Sequence, residues 1–151
     1  YVKASAMGFN PQDHFFKKAK KEGFLARSAY KLDEVQKKYR VMKPGDNVLD
    51  LGCAPGAWSQ IALKVVGGKG FVEGIDLKPV TLKAPNGHFF VRDVFDLKSE
   101  ELQGFPFDVI VSDMAPNTTG IKSADQAKSE ELCLKVLELC DQWLKPKGNM
   151  V

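Results

Sequence analysis

At 151 residues the chain fits one domain and is long enough to bury a genuine core. Hydrophobic residues make up 44% and charged residues 27%, ordinary proportions for a globular protein, and no apolar run approaches the roughly 20 residues of a bilayer-crossing helix, so a membrane partner is not expected. The net charge of +3 hides an asymmetry: through Gly45 there are eleven basic residues and four acidic ones, so the remaining chain is net acidic. A basic amino-terminal arm on an acidic body points to a polyanion partner.

The first residues, 1–12, read as a flexible terminus. Residues 13–45 form a basic helical arm, with one helix from Asp13 to Glu22 stopped at Gly23 and a second from Ala26 to Tyr39. Leu25, Ser28, Leu32, Val35 and Tyr39 recur at helical spacing and predict the buried stripe of the second helix; Lys31 points off it. Lys43-Pro44-Gly45-Asp46 is a turn that opens the core, 46–151. Strands follow at Asn47–Asp50, Gly70–Asp76, His88–Val91 and Phe107–Val111. Helices are predicted at Ala57–Val66, Leu97–Leu102 and Ser123–Leu144, and Lys145-Pro146-Lys147-Gly148 turns into a fifth strand at Asn149. Cys133 and Cys140 lie seven apart on the long helix and are expected to share its apolar face. With Cys53 they form no CxxC pair, which fits a reducing, intracellular setting and no metal site.

Strands alternating with helices at this spacing predict an α/β fold, a mainly parallel sheet with helices on both faces. Ligands of such sheets bind at the carboxyl ends of the strands. There the sequence sets Asp50, Asp76, Asp93 and Asp113, one aspartate at or just after each of four successive strands. The loop Asp50-Leu51-Gly52-Cys53-Ala54-Pro55-Gly56-Ala57-Trp58 lacks GxGxxG and carries no GK[ST], and Pro55 removes an N–H that a phosphate cradle would use. These features count against nicotinamide oxidoreductases and exclude P-loop enzymes. An acid-lined, cradle-free site matches S-adenosylmethionine, which has an ammonium, a sulfonium, a ribose diol and an adenine but no phosphate.

Three runs in register carry a resemblance: Arg27-Ser28-Ala29-Tyr30-Lys31-Leu32-Asp33-Glu34, the Asp50–Gln60 loop, and Ser112-Asp113-Met114-Ala115-Pro116-Asn117. From about Asp13 to Val151 the chain resembles the FtsJ/RrmJ family of 2′-O-ribose methyltransferases acting on large-subunit ribosomal RNA. The resemblance implies a Rossmann-like fold with S-adenosylmethionine as cofactor, held by Gly56, Trp58, Asp76, Asp93 and Asp113. For Trp58, packing between helix and sheet is the competing role. The family's Lys-Asp-Lys-Glu tetrad places its first two members on Lys31 and Asp113. The second lysine and the glutamate are expected beyond Val151, so the chain is expected to be a fragment lacking the later strands and part of the catalytic apparatus.

RNA, as ribosomal RNA or a ribosomal subunit, is the expected partner of the basic arm, and a monomer is expected. Transfer RNA and messenger-cap methyltransferases share these motifs, and a non-catalytic RNA-binding module is the alternative of another class. Base methylation is disfavoured, because no aromatic follows Asp113 in the turn and no cysteine lies there. The compartment is expected to be the bacterial cytoplasm, or the nucleolus or mitochondrion in a eukaryote.

Overall fold

The structure is a computed structural model and describes residues 11–151; of the terminus expected to be flexible, 1–12, residues 1–10 fall outside it, while Pro11 and Gln12 open the first helix. Two helices, α1 (Pro11–Lys21) and α2 (Ala29–Tyr39), precede β1 (Asn47–Leu51). Then come α3 (Ala57–Val66), β2 (Phe71–Asp76), β3 (Gly87–Val91), β4 (Phe107–Ser112), α4 (Lys122–Trp143) and β5 (Leu144–Met150). Single 3-10 turns occupy Gly67–Lys69 and Ser99–Glu101, the latter where a short helix was predicted.

The strands form one sheet in the order β3-β2-β1-β4-β5, and every neighbouring pair is parallel. Chain order reverses between β1 and β4, so the sheet has its switch point beside β1, where a crevice opens at the strand tips. Alternate residues face opposite layers. Val48, Val72, Val109 and Val111 pack with Ala29 and Leu32 of α2 and with Trp58, Ile61 and Ala62 of α3. Leu49, Leu51, Ile75 and Ile110 pack on the other side with Val136, Leu139, Cys140 and Trp143 of α4. The basic arm is therefore continuous with the core from Ala29 onward, since Ala29 and Leu32 are fully buried in it.

Three expectations need correction. The α2 stripe loses both ends: Leu25 precedes the helix and is exposed, and Tyr39 is 63% exposed because the chain leaves the helix at Arg40 and inserts Met42 into the core instead. Cys133 is exposed while Cys140 is buried, because the first half of α4 stands largely in solvent. The fifth strand starts at Leu144 rather than Asn149. The predicted turn survives inside it as an irregularity, with Phe107 paired to Leu144 but Val109 to Asn149, and with Lys147 at φ 67°.

Charge also holds the fold where the sequence offered no signal. Glu73 on β2 is wholly buried; its carboxylate accepts from the backbone N–H groups of Gln103 (2.9 Å) and Gly104 (3.0 Å) and lies 2.6 Å from His88 Nδ1. This staples the loop before β4 onto β2 and β3. Replacing Glu73 with Leu strands two buried donors, so Glu73→Leu is expected to cost about 2–4 kcal/mol of stability. Urea unfolding should show a lower midpoint at an unchanged m-value; an unshifted midpoint would contradict the staple.

Candidate active site

The β1–α3 loop sets the floor of the site. Gly52, at φ 79°, donates its N–H to the Ile75 carbonyl at 2.9 Å, and a Cβ there would run into the Met114 side chain. Only glycine allows this backbone conformation and this approach together. The turn tucks the loop between the tips of β2 and β4.

Above it lies a cavity of about 370 Å³, within the range of small-molecule sites. Asp76, Asp93 and Asp113 line it, together with the apolar Ile75, Leu77, Val94 and Met114. The Asp76 carboxylate is fixed by the N–H groups of Ala54 and Lys78, each at 2.9 Å, one on each oxygen. Each oxygen retains a second lone pair for a ligand hydroxyl. One Asp93 oxygen accepts from Phe95 N–H at 3.0 Å in a short-range turn, and the same residue lines the cavity. Apolar walls with two oriented carboxylates, and with Lys78 and Arg92 also in the lining, can hold a nucleoside.

Lys31 reaches this site from α2. Its Nζ lies 3.3 Å from Asp113 Oδ1, across 82 residues of sequence, and the lysine side chain is 70% exposed. The pair therefore sits at the mouth, where a substrate can approach. Asp113 also lines a smaller adjoining hollow with Ser28, Asp50, Cys53 and Trp58.

Two of the expected contacts lie off the lining of the larger cavity. Gly56 starts α3 at φ 111° and is packed against Leu25 and Val80, outside the lining of the larger cavity. Trp58 is 8% exposed and lies within the core. Its Nε1–H donates to the Ser28 carbonyl at 2.8 Å, fixing the approach to α2 three residues before Lys31. Trp58 thus packs in the core, helps position α2 and lines the smaller hollow beside Asp113. The sequence reading missed the apolar lining, Leu77, Val94, Phe95 and Leu132; three of these directly follow the strand-end acids, which was the available signal.

Asp50 differs from the other acids. It is buried on β1, facing α3, and accepts the Ser59 hydroxyl at 2.6 Å. Burial pushes its carboxyl up to about 7, with Asp76 and Asp113 adding to the rise and Ser59 opposing it. Burial, then Asp50 and Asp76, likewise push the Cys53 thiol up, so Cys53 is no thiolate nucleophile at neutral pH.

Between pH 4 and 7 the folded protein holds the Asp50 proton that the unfolded chain has released. Folding takes up a proton in that window, so stability falls as pH rises through it, by at most about 4 kcal/mol. Asp50→Asn, which keeps an acceptor for Ser59, is expected to flatten this decline in denaturation measured across that pH range. An identical pH profile in the variant would rule out Asp50 as its source.

The FtsJ-like methyltransferase family model matches residues 24–151. The ribosomal RNA large subunit methyltransferase E of Bdellovibrio bacteriovorus is 51% identical over 150 residues, spanning 96% of this chain and 76% of the relative. That of Desulfatibacillum aliphaticivorans is 50% identical, spanning 93% and 69%. A solved Plasmodium falciparum structure assigned as a ribosomal RNA methyltransferase superposes with a TM-score of 0.71 at 31% identity, over 81% of this chain and 73% of that one. Aeropyrum pernix fibrillarin, solved with S-adenosyl-L-methionine bound, shares the fold at a TM-score of 0.52 and 21% identity, over 72% of this chain and 45% of its own. With three motifs in register, a crevice at the switch point and relatives this similar along nearly its whole length, the chain belongs to the FtsJ-like methyltransferase family.

Proposed function

We propose that this chain uses S-adenosylmethionine to methylate ribose 2′-hydroxyls of large-subunit ribosomal RNA. The observation that carries this reading is the Lys31–Asp113 pair at the mouth of an acid-lined cavity. When bound, the cofactor supplies an electrophilic methyl group. Asp76, already oriented by two backbone donors, accepts the ribose hydroxyls, and Asp93 takes an adenine amino group. The apolar walls around Met114 and Val94 exclude water from the rest of the nucleoside.

A ribose hydroxyl is a weak nucleophile, so its proton must leave as it attacks, and at this exposed mouth it passes to solvent water. The Lys31 ammonium donates a hydrogen bond to that oxygen and stabilises its developing negative charge. Asp113 holds the ammonium in place. Trp58 fixes Ser28 and so the origin of the helix that carries Lys31.

The basic arm supplies phosphate contacts that position the RNA without reading its sequence. Tyr30 Oη–H donates to Glu22 at 2.6 Å and Lys18 lies over the Tyr30 ring at 5.2 Å, tying the end of α1 to α2. Lys18, Lys20 and Lys21 are exposed.

Asp76→Ala is expected to weaken S-adenosylmethionine binding in calorimetry at least about tenfold, two hydroxyl contacts being lost. Lys31→Ala should leave that affinity nearly intact while slowing methyl transfer about 100-fold or more, the usual size of one lost oxyanion donor. Nucleoside analysis of the RNA after transfer should show 2′-O-methylribose. Methyl on a base, or on transfer RNA in preference to large-subunit RNA, would overturn the substrate named here.

A further inference from the structure

The far end of α2 carries a second exposed cationic surface that the reaction does not use. Lys38, Tyr39, Arg40 and Lys43 are all exposed there. Lys37 beside them is paired with Asp33 at 2.6 Å, but among the described residues no carboxylate pairs with Lys38, Arg40 or Lys43. Lys38 lies over the Tyr39 ring at 5.1 Å, so cation and aromatic already share one patch.

Two features show that this corner is built rather than loose. The Gln36 side chain accepts from Met42 N–H and donates to the Met42 carbonyl, both at 2.9 Å, and Asn149 donates to the Val41 carbonyl at 2.8 Å. The turn that ejects Tyr39 is thereby clamped to α2 and to β5. Arg40, moreover, closes the helix in the left-handed region at φ 49°, ψ 49°. Glycine is the residue that takes this position without strain, and a strained arginine there is a reason to look for work done by its guanidinium.

Helical geometry then joins the corner to the catalytic mouth. Lys31 and Lys38 are seven residues apart, which returns to the same stripe of the helix about 10 Å further along. An RNA strand crossing Lys31 and following the outside of α2 passes the exposed Glu34 on the same stripe and reaches the cations and the aromatic face at its end.

We propose that Lys38, Tyr39, Arg40 and Lys43 form a second RNA contact, in which an unstacked base lies on Tyr39 and the three cations take the neighbouring phosphates. This rests on the RNA-methyltransferase reading above. Exposed aromatics flanked by cations are the usual platform for single-stranded nucleic acid.

The test is fluorescence anisotropy of a labelled single-stranded RNA of about 20 nucleotides, titrated with the 151-residue protein across a series of salt concentrations. Tyr39→Ala is expected to weaken binding roughly tenfold, one base stack, while Tyr39→Phe stays within about twofold of the parent. The triple variant Lys38→Ala/Arg40→Gly/Lys43→Ala should flatten the log–log salt slope by about 2, three released contacts on a single strand. Arg40→Gly alone separates binding from folding. It should melt no lower than the parent, since glycine accepts the left-handed cap, and yet bind RNA more weakly.

Variants that match the parent in affinity and slope would overturn the contact, and would leave this face to a protein partner. Equal losses in Tyr39→Ala and Tyr39→Phe would overturn the stacked base. A parent that takes up S-adenosylmethionine but shows no salt-dependent RNA binding would remove the RNA reading itself.

Discussion

Parallel pairing of all five strands is the constraint on which this molecule depends, because it puts every carboxyl end on one edge of the sheet. The order reversal beside β1 then parts the loops at that edge and leaves a crevice. Asp76, Asp93 and Asp113 line that crevice, though they come from three different strand ends. The loop that floors it passes only because Gly52 tolerates the Met114 side chain against its backbone.

The carboxylates at this edge leave a mark on Asp50, whose carboxyl is pushed up first by burial and then by Asp76 and Asp113. Cations answer the acids around the crevice: Lys78 and Arg92 line it, and Lys31 stands beside Asp113 at its mouth. A ligand with an ammonium and a ribose diol finds oriented carboxylates there, while the loop interrupted by Pro55 offers a phosphate no cradle.

Much of this was legible in the sequence, for identifiable reasons. The helix from Ala57 to Val66 was placed to the residue because Gly56 and Gly67 bracket a clear apolar period. The strand-end aspartates were legible because a parallel sheet fixes where strand ends lie. Residues whose role depends on distant partners were not legible. Glu73 reads as an ordinary polar strand position, yet its partners are backbone N–H groups some thirty residues on. Cys133 has the right spacing for burial but falls on the part of α4 that outruns the sheet. Tyr39 has the right spacing too, and loses its core place to Met42 because the chain turns one residue after the helix ends. Periodicity says which residues share a face, and it cannot say how far the opposing layer extends.

The same limit explains why α2 links the cofactor site to the substrate side. Its buried residues, Ala29 and Leu32, lock it against α3 and the sheet, so it behaves as a rod with a fixed axis. At one end, Trp58 of α3 holds the Ser28 carbonyl, so the helix that follows the cofactor loop also registers Lys31. At the other, Gln36 and Asn149 clamp the exit. A rod pinned at both ends cannot adjust Lys31 independently of its outer surface, so any strand lying along that surface is placed relative to the methyl-accepting position by helix geometry alone. Phosphate contacts carry no sequence information by themselves; under the proposed reading, contacts along this helix would set the distance and direction at which a hydroxyl meets the Lys31–Asp113 pair.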